Sequence, residues 1–291
     1  MHATIEALLR KAPILVDGAW GTELQSRGLA IGDCPDTWNL THADRVESVA
    51  RAYVEAGAEI ILTNTFGANR FTLERHGMAD KAEAIAKAGA AISRKAAGEA
   101  ALVFASLGPS GKMVAMGEVE PEALADAFTA QARGLAEGGA DGIVVETMAE
   151  TDELEIAVRA AASTGLPVVA CMAFDTGPEH DRTMMGTGPE AAVAAATAAG
   201  ADVVGANCGS GVADYVNVCR RLRAATDLPL WIKPNAGMPE LVEGKAVYRM
   251  SPETFADFFP ALREAGADFI GGCCGTAPAF IKALHTRMEK A

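Results

Sequence analysis

Three cysteines carry the first chemical signal in this chain. Cys273 and Cys274 are adjacent in Gly-Gly-Cys-Cys-Gly-Thr (271–276), and Cys208 stands in Gly-Ala-Asn-Cys-Gly (205–209). Each group follows a short apolar run, as at the end of a buried strand. Two neighbouring thiols and a distant third, all at strand ends, can form a three-thiolate zinc site with an open fourth position. There a substrate thiol can bind and lose its proton. Glycines beside the pair let the backbone bend tightly around a metal, and thiolates select zinc over magnesium or calcium. A lone cysteine at a strand end is ordinarily packing, so the reading needs all three to meet.

The other three, Cys34, Cys171 and Cys219, read as reduced, partly buried thiols. A chain of 291 residues without an export signal has little need of disulfide staples. Adjacent cysteines also cannot pair without strained geometry. All five histidines (His2, His42, His76, His180, His285) lie outside the strand ends, which argues against histidine metal ligands or a Ser/His nucleophile.

The elements that must bring the cysteines together repeat along the chain. Strand-length apolar runs occur at Ile14–Trp20, Glu59–Phe66, Leu102–Leu107, Gly142–Met148, Pro167–Phe174, Asp202–Cys208, Leu230–Pro234 and Phe269–Cys273. Helix-length segments separate them. The second, fourth, sixth and eighth runs are introduced by near-repeats of Glu-Ala-Gly-Ala-Asp at 55–59, 137–141, 198–202 and 264–268. Glycine there is a helix C-cap from which the chain turns into the next strand. Caps or prolines open the helices Asp44–Ala56, Glu122–Glu137 and Glu253–Glu264. Continuous apolar strands alternating with helices imply a covered parallel sheet. Eight units in this length, with no Gly-x-Gly-x-x-Gly after the first strand, predict an α/β chain forming one (β/α)8 TIM barrel. The N-terminal residues add a short amphipathic helix, and no linker divides residues 1–291, so one domain is expected.

Barrel chemistry belongs at the C-terminal ends of the strands. The polar residues fall there: Asp17 to Glu23, Thr63-Asn64-Thr65, Glu146-Thr147, Asn207-Cys208, Lys233-Pro234-Asn235 and Cys273 to Thr276. Asp17 and Glu146 each end an apolar run, which should hold them at the cavity. Asn64 and Asn207 could equally cap backbone groups. The connections after strands one, three, five and seven (21–40, 108–120, 175–188 and 235–251) are long. They suit lids or the docking of a second molecule.

The formal net charge of −13 argues against nucleic acid or an anionic membrane surface as the main partner. No segment reads as transmembrane or as a signal peptide, so a cytoplasmic protein is expected.

The strand-end segments resemble the homocysteine S-methyltransferase family across nearly the whole chain. Asp-Gly-Ala-Trp-Gly-Thr-Glu-Leu-Gln (17–25), Thr-Asn-Thr-Phe (63–66), Glu-Thr-Met (146–148), Gly-Ala-Asn-Cys (205–208) and Gly-Gly-Cys-Cys-Gly-Thr (271–276) follow the family's order and spacing. With Lys-Pro-Asn-Ala-Gly (233–237), the set looks most like the homocysteine-binding module of cobalamin-dependent methionine synthase. It looks less like the betaine- or S-methylmethionine-dependent branches.

The resemblance implies that Cys208, Cys273 and Cys274 hold zinc and that homocysteine sulfur becomes the fourth ligand. It implies that Asn235 is a displaceable ligand, that Asp17 and Glu146 bind the substrate ammonium, and that backbone N–H groups around Gly18, Ala19 and Gly21 receive its carboxylate. Asn64 and Asn207 join the expected substrate-binding set. Attack on a methyl group requires a thiolate, whereas a free thiol ionises near pH ~8.5; zinc makes the thiolate available at neutral pH. The methionine synthase modules for folate, cobalamin and activation have no counterpart here, so methylcobalamin on a separate corrinoid protein is the expected donor. Two other classes stay open on the residues: a barrel lyase or aldolase with Lys233 as a Schiff-base residue, and a non-catalytic partner that stores zinc or binds a corrinoid protein.

Overall fold

The alternating runs fold into eight parallel strands, ordered one, eight, seven, six, five, four, three, two around the sheet. In the computed structural model, which describes residues 1–242 and 245–290, they are Ile14–Leu15, Ile60–Ile61, Leu102–Leu107, Gly142–Met148, Val168–Met172, Val203–Cys208, Leu230–Pro234 and Phe269–Ile270. A parallel bridge between Val16 and Ile60 joins the two ends of that order. Beside it, Asp17 N–H donates to Ile60 O (3.1 Å) and Glu59 N–H to Leu15 O (2.8 Å). The sheet is therefore a closed barrel flanked by helices, as the sequence predicts.

Residues alternate between two apolar clusters with the period of a strand. Ile14, Val16, Leu62, Phe104, Val144, Val169, Val203, Trp231 and Phe269 fill the barrel interior. Leu15, Ile61, Val103, Ile143, Val145 and Ala170 face the surrounding helices. The N-terminal helix Ala3–Leu9 places Ile5, fully buried, in the interior cluster at the strand starts. Upward along the interior the fill changes from apolar to polar, so the chemistry is confined to one end.

Five strands are shorter than expected: strands five and six by three residues and one, and strands one, two and eight because their last residues leave the ladder to build that polar end. Leu62 N–H, for example, donates to the Asp17 carboxylate (2.7 Å) rather than to a neighbouring strand. Trp20 belongs to the next helix, Trp20–Ser26. The glycines of the near-repeats, Gly57, Gly139, Gly200 and Gly266, have φ of 99°, 92°, 96° and 100°, which is the left-handed cap the repeat predicts.

The helix expected at Glu253–Glu264 is two pieces, Pro252–Ala256 and Phe259–Glu264. Pro260 lies in the first turn of the second piece. It has no N–H to donate, and its ring excludes a carbonyl four residues back. The loop expected at 235–251 contains a hairpin, with Glu240–Val242 antiparallel to Lys245–Val247. Glu243 and Gly244 of that loop, and Ala291 at the end of the 1–291 span, lie outside the described residues. Among the described residues, no helix is long and apolar enough to cross a membrane.

Candidate active site

Strand seven sits between strands six and eight and holds both cysteine segments. Asn235 N–H donates to Cys208 O (3.2 Å), Cys273 N–H to Pro234 O (2.8 Å) and Ala236 N–H to Cys274 O (3.0 Å). As a result the Cys208, Cys273 and Cys274 sulfurs all lie within 4.8 Å of one another, half-buried at the barrel mouth. Cys208 adopts φ 66°, a left-handed backbone rare for a residue with a side chain. Gly209 follows at φ 70°, packed so tightly that a Cβ would sit 2.4 Å from Phe174 O and from the Tyr215 hydroxyl. This turn aims the Cys208 sulfur across the mouth.

The donor set fits a metal. Tetrahedral thiolates at zinc–sulfur distances of ~2.3 Å lie about 3.8 Å apart, inside the 4.8 Å within which the three sulfurs fall. S–H groups of Cys273 and Cys274 donating to Cys208 hold its thiol well below the ordinary value. Their interaction with that thiolate pushes Cys273 well up and Cys274 up to about 12. By itself the trio holds one thiolate readily, and a divalent cation is what lets three coexist.

Asn235 braces this arrangement. Its Nδ2 donates to Gly209 O (2.6 Å) and lies 3.6 Å from Cys208 Sγ, and its Oδ1 accepts from Cys274 N–H (2.9 Å). The oxygen expected as a displaceable metal ligand is engaged on the backbone here. Tyr248, on the return from the hairpin, packs its ring over Gly275.

Beneath the sulfurs lies a buried polar layer. Glu146 lies near the end of strand four, at a register shift between Val145 and Met148, where Thr147 has φ 62°. Such a bulge re-aims a side chain. The Glu146 carboxylate accepts from the Ser106 hydroxyl and from Asn207 Nδ2 (3.2 Å). Burial pushes its pKa up; the Lys233 charge and the Ser106 hydrogen bond oppose this, and the Asp17 and Cys208 charges add to it. Asn207 Nδ2 also lies 3.8 Å from Cys273 Sγ, so one amide links the carboxylate to the sulfurs. Asp17 is fully buried. It accepts from Lys233 Nζ (2.5 Å), Trp20 Nε1 (2.8 Å) and Leu62 N–H.

Of the expected substrate contacts, the structure brings Glu146 and Asn207 beside the sulfur trio. Asn64 is elsewhere employed: its Nδ2 donates to Pro35 O (2.8 Å) and Asn39 Oδ1 (3.0 Å), fastening the first long loop to strand two. This is the backbone-capping alternative. Gly18 packs against Thr276, where a Cβ would meet the carbonyl oxygen at 2.1 Å. Ala19 N–H already donates to Thr276 O (3.0 Å), and Gly21 is exposed. Lys233 Nζ is held by its pair with Asp17, so a carbonyl substrate would have to displace that carboxylate to form a Schiff base. Cys34, Cys171 and Cys219 are free and buried, Cys171 and Cys219 completely and Cys34 at 6% exposure.

Four residues of the site went unassigned in the sequence: Trp20, Ser106 and Thr147, and Lys233 as an ion-pair partner. Period-two alternation carried the signal for two of them, since Ser106 and Lys233 each stand two residues beyond an inward aromatic, Phe104 and Trp231.

Residues 14–288 match the sequence profile of the family described as Homocysteine S-methyltransferase. The chain is 34% identical over 294 residues to the methionine synthase of Mycobacterium tuberculosis, covering 94% of this chain and 24% of that protein. The methionine synthase of Mycobacterium leprae gives 34% identity with the same coverage. The chain thus spans about a quarter of the length of these curated relatives. Among solved structures, the metallated form of the homocysteine methyltransferase MmuM from Escherichia coli superposes with a TM-score of 0.80 at 27% identity, covering 97% of this chain and 99% of that one. On the profile match through the whole barrel, this chain belongs to the homocysteine S-methyltransferase family.

Proposed function

We propose that this barrel is a zinc-dependent homocysteine S-methyltransferase that forms methionine, with methylcobalamin on a separate corrinoid protein as methyl donor. The convergence of three thiols directly above a buried carboxylate layer carries the reading. Cys208, Cys273 and Cys274 would hold the metal. Bound there, zinc supplies a lowered pKa to the substrate thiol, so that it is a thiolate at neutral pH.

The protein's own residues bind and orient. Glu146 receives the substrate ammonium, and its bonds from Ser106 and Asn207 fix the carboxylate. Ala19 N–H is taken by Thr276, so the substrate carboxylate falls to the amides that follow, at the open first turn of the helix Trp20–Ser26. In the transfer, a sulfur–carbon bond forms as the donor–carbon bond breaks, the leaving electron pair stays with the donor, and the thiol proton is released.

Two observations support a protein-borne corrinoid donor. Identity is higher to methionine synthases than to MmuM, 34% against 27%. The exposed apolar side chains Ile31, Met116, Met184, Met238 and Leu241 stand on the long loops after strands one, three, five and seven. They ring the same face as the sulfurs, as a surface that receives another protein would. The TM-score of 0.80 to MmuM, itself described as a homocysteine methyltransferase, favours a second reading, a stand-alone enzyme using betaine or S-methylmethionine.

Zinc-loaded protein given homocysteine with methylcobalamin, betaine or S-methylmethionine in parallel separates these. Methionine from methylcobalamin alone is the expected result. Transfer from betaine or the sulfonium, and never from a methylcorrinoid, would replace the donor assignment. Zinc binding without homocysteine-dependent proton release would favour a non-catalytic zinc- or corrinoid-protein-binding role.

A further inference from the structure

We propose that Lys233 decides which of the two buried carboxylates meets the substrate: by pairing with Asp17 it withdraws that group and leaves Glu146 as the sole receiver of the α-ammonium. The inference rests on the homocysteine reading above and departs from the expectation that Asp17 and Glu146 share the ammonium.

The two carboxylates are differently employed. A carboxylate offers about four acceptor directions. Asp17 uses three on protein donors: Lys233 Nζ on Oδ1 (2.5 Å), and Trp20 Nε1 (2.8 Å) and Leu62 N–H (2.7 Å) on Oδ2. It is fully buried, and Lys233 is 2% exposed. The remaining direction is on the oxygen that already carries the lysine ammonium. A substrate ammonium placed there would face a like charge at close range in a buried interior, where Coulomb repulsion is weakly screened.

Glu146 has the opposite arrangement. Both of its donors, the Ser106 hydroxyl and the Asn207 amide, are neutral, and no cation pairs with it among the described residues. Lys233 is hydrogen-bonded to Asp17 and acts on Glu146 only through space, so of the two carboxylates Glu146 is the one without an ion-pair partner. One amide bridges Glu146 to Cys273 Sγ, so an ammonium on Glu146 stands a short reach from the sulfur trio. A thiol separated from its α-amine by two methylenes fits that spacing. Lys233 is a positioning residue in this scheme, and selection for α-amino thiols belongs to Glu146.

The test compares affinities of zinc-loaded protein for homocysteine and for 4-mercaptobutyrate, the same thiol acid without the amine. Wild type should prefer homocysteine by about tenfold to a hundredfold, the worth of one hydrogen bond to a charged group. Glu146→Gln should abolish the preference. The double variant Asp17→Asn/Lys233→Met should keep it, because removing both partners of a buried pair strands no charge. Loss of preference in the double variant equal to that in Glu146→Gln overturns the inference.

A measurement on wild type guards against poor folding of the double variant. Isotope-edited infrared difference spectra on adding homocysteine, with carbon-13 in either aspartate or glutamate carboxyls, should move glutamate bands only. A shifted aspartate band overturns the assignment. Wild type that shows no preference at all overturns the homocysteine reading itself, a different failure.

Discussion

Asn207 grips Thr147 with both ends of its amide, Oδ1 accepting Thr147 N–H at 2.7 Å and Nδ2 donating to Thr147 Oγ1 at 2.7 Å. Thr147 is β-branched and sits at φ 62°, a conformation that persists only when its surroundings over-determine it. The clasp therefore stabilises the bulge that aims Glu146 inward. Asn207 is itself held by the Tyr215 hydroxyl, which donates to its carbonyl (2.8 Å).

Asn207→Ala should consequently free the bulge and leave buried polar groups unpaired. Stability should fall by about 1–3 kcal/mol in a denaturant titration, and the homocysteine dissociation constant should rise about tenfold. Metal analysis should still find zinc, because no sulfur is removed. Loss of zinc equal to that in a cysteine variant would place Asn207 in the metal site instead.

Among the cysteines, Cys208→Ala should lose both zinc and methyl transfer, whereas Cys34→Ala should lose neither. Burial, with Asp36 nearby, pushes the Cys34 thiol up to about 11, and burial pushes Cys219 up to about 12. After chelation at pH ~7.5, iodoacetamide should alkylate Cys208 first and Cys34 and Cys219 last, since the thiolate is the nucleophile. Mass spectrometry of timed digests reads the order.

Asp36 offers a pH signature unrelated to the metal. Burial raises its carboxyl from 3.8 to about 6, partly offset by the Gly67 N–H it accepts at 2.9 Å. Between these values the folded chain keeps a proton that the unfolded chain has lost. Stability therefore falls as pH rises through that window, by about 3 kcal/mol for this group. Asp36→Asn keeps an acceptor for Gly67 and removes the titration. The stability of wild type relative to Asp36→Asn should drop by about that amount from pH ~4 to ~7, measured by urea midpoints. A pH-independent difference would contradict the assignment.

Gly209 and Gly200 provide a matched pair. Both have positive φ, 70° and 96°, yet a Cβ at Gly200 meets nothing within 4 Å while one at Gly209 collides with Phe174 O and Tyr215. Gly200→Ala should cost about 1 kcal/mol from backbone strain alone. Gly209→Ala should cost more and weaken zinc binding, because the turn that aims Cys208 must shift. Equal costs with zinc retained would show that the turn tolerates displacement.

Much of the architecture was legible in the sequence because it follows from local rules. Continuous apolar runs specify buried parallel strands, and the repeated Gly-Ala-Asp turns specify where helices stop. Together they place Cys208, Cys273 and Cys274 at strand ends without any coordinates. Strands three, four and seven have the expected limits. The break at Pro260 was not legible, because the apolar pattern running across it suggested one helix.

What only the tertiary structure decided is how the polar ends are shared among one another. Asp17 and Lys233 are 216 residues apart, and Asn207 and Glu146 are 61 apart. Sequence alone makes Asp17 and Glu146 equivalent carboxylates at strand ends. Closure of the barrel brings a lysine onto one and two neutral donors onto the other, and it turns Asn64 toward a loop rather than the mouth. A side chain's chemical type is local, but its partners, and hence its charge and availability, are set by which strands the closed sheet places side by side.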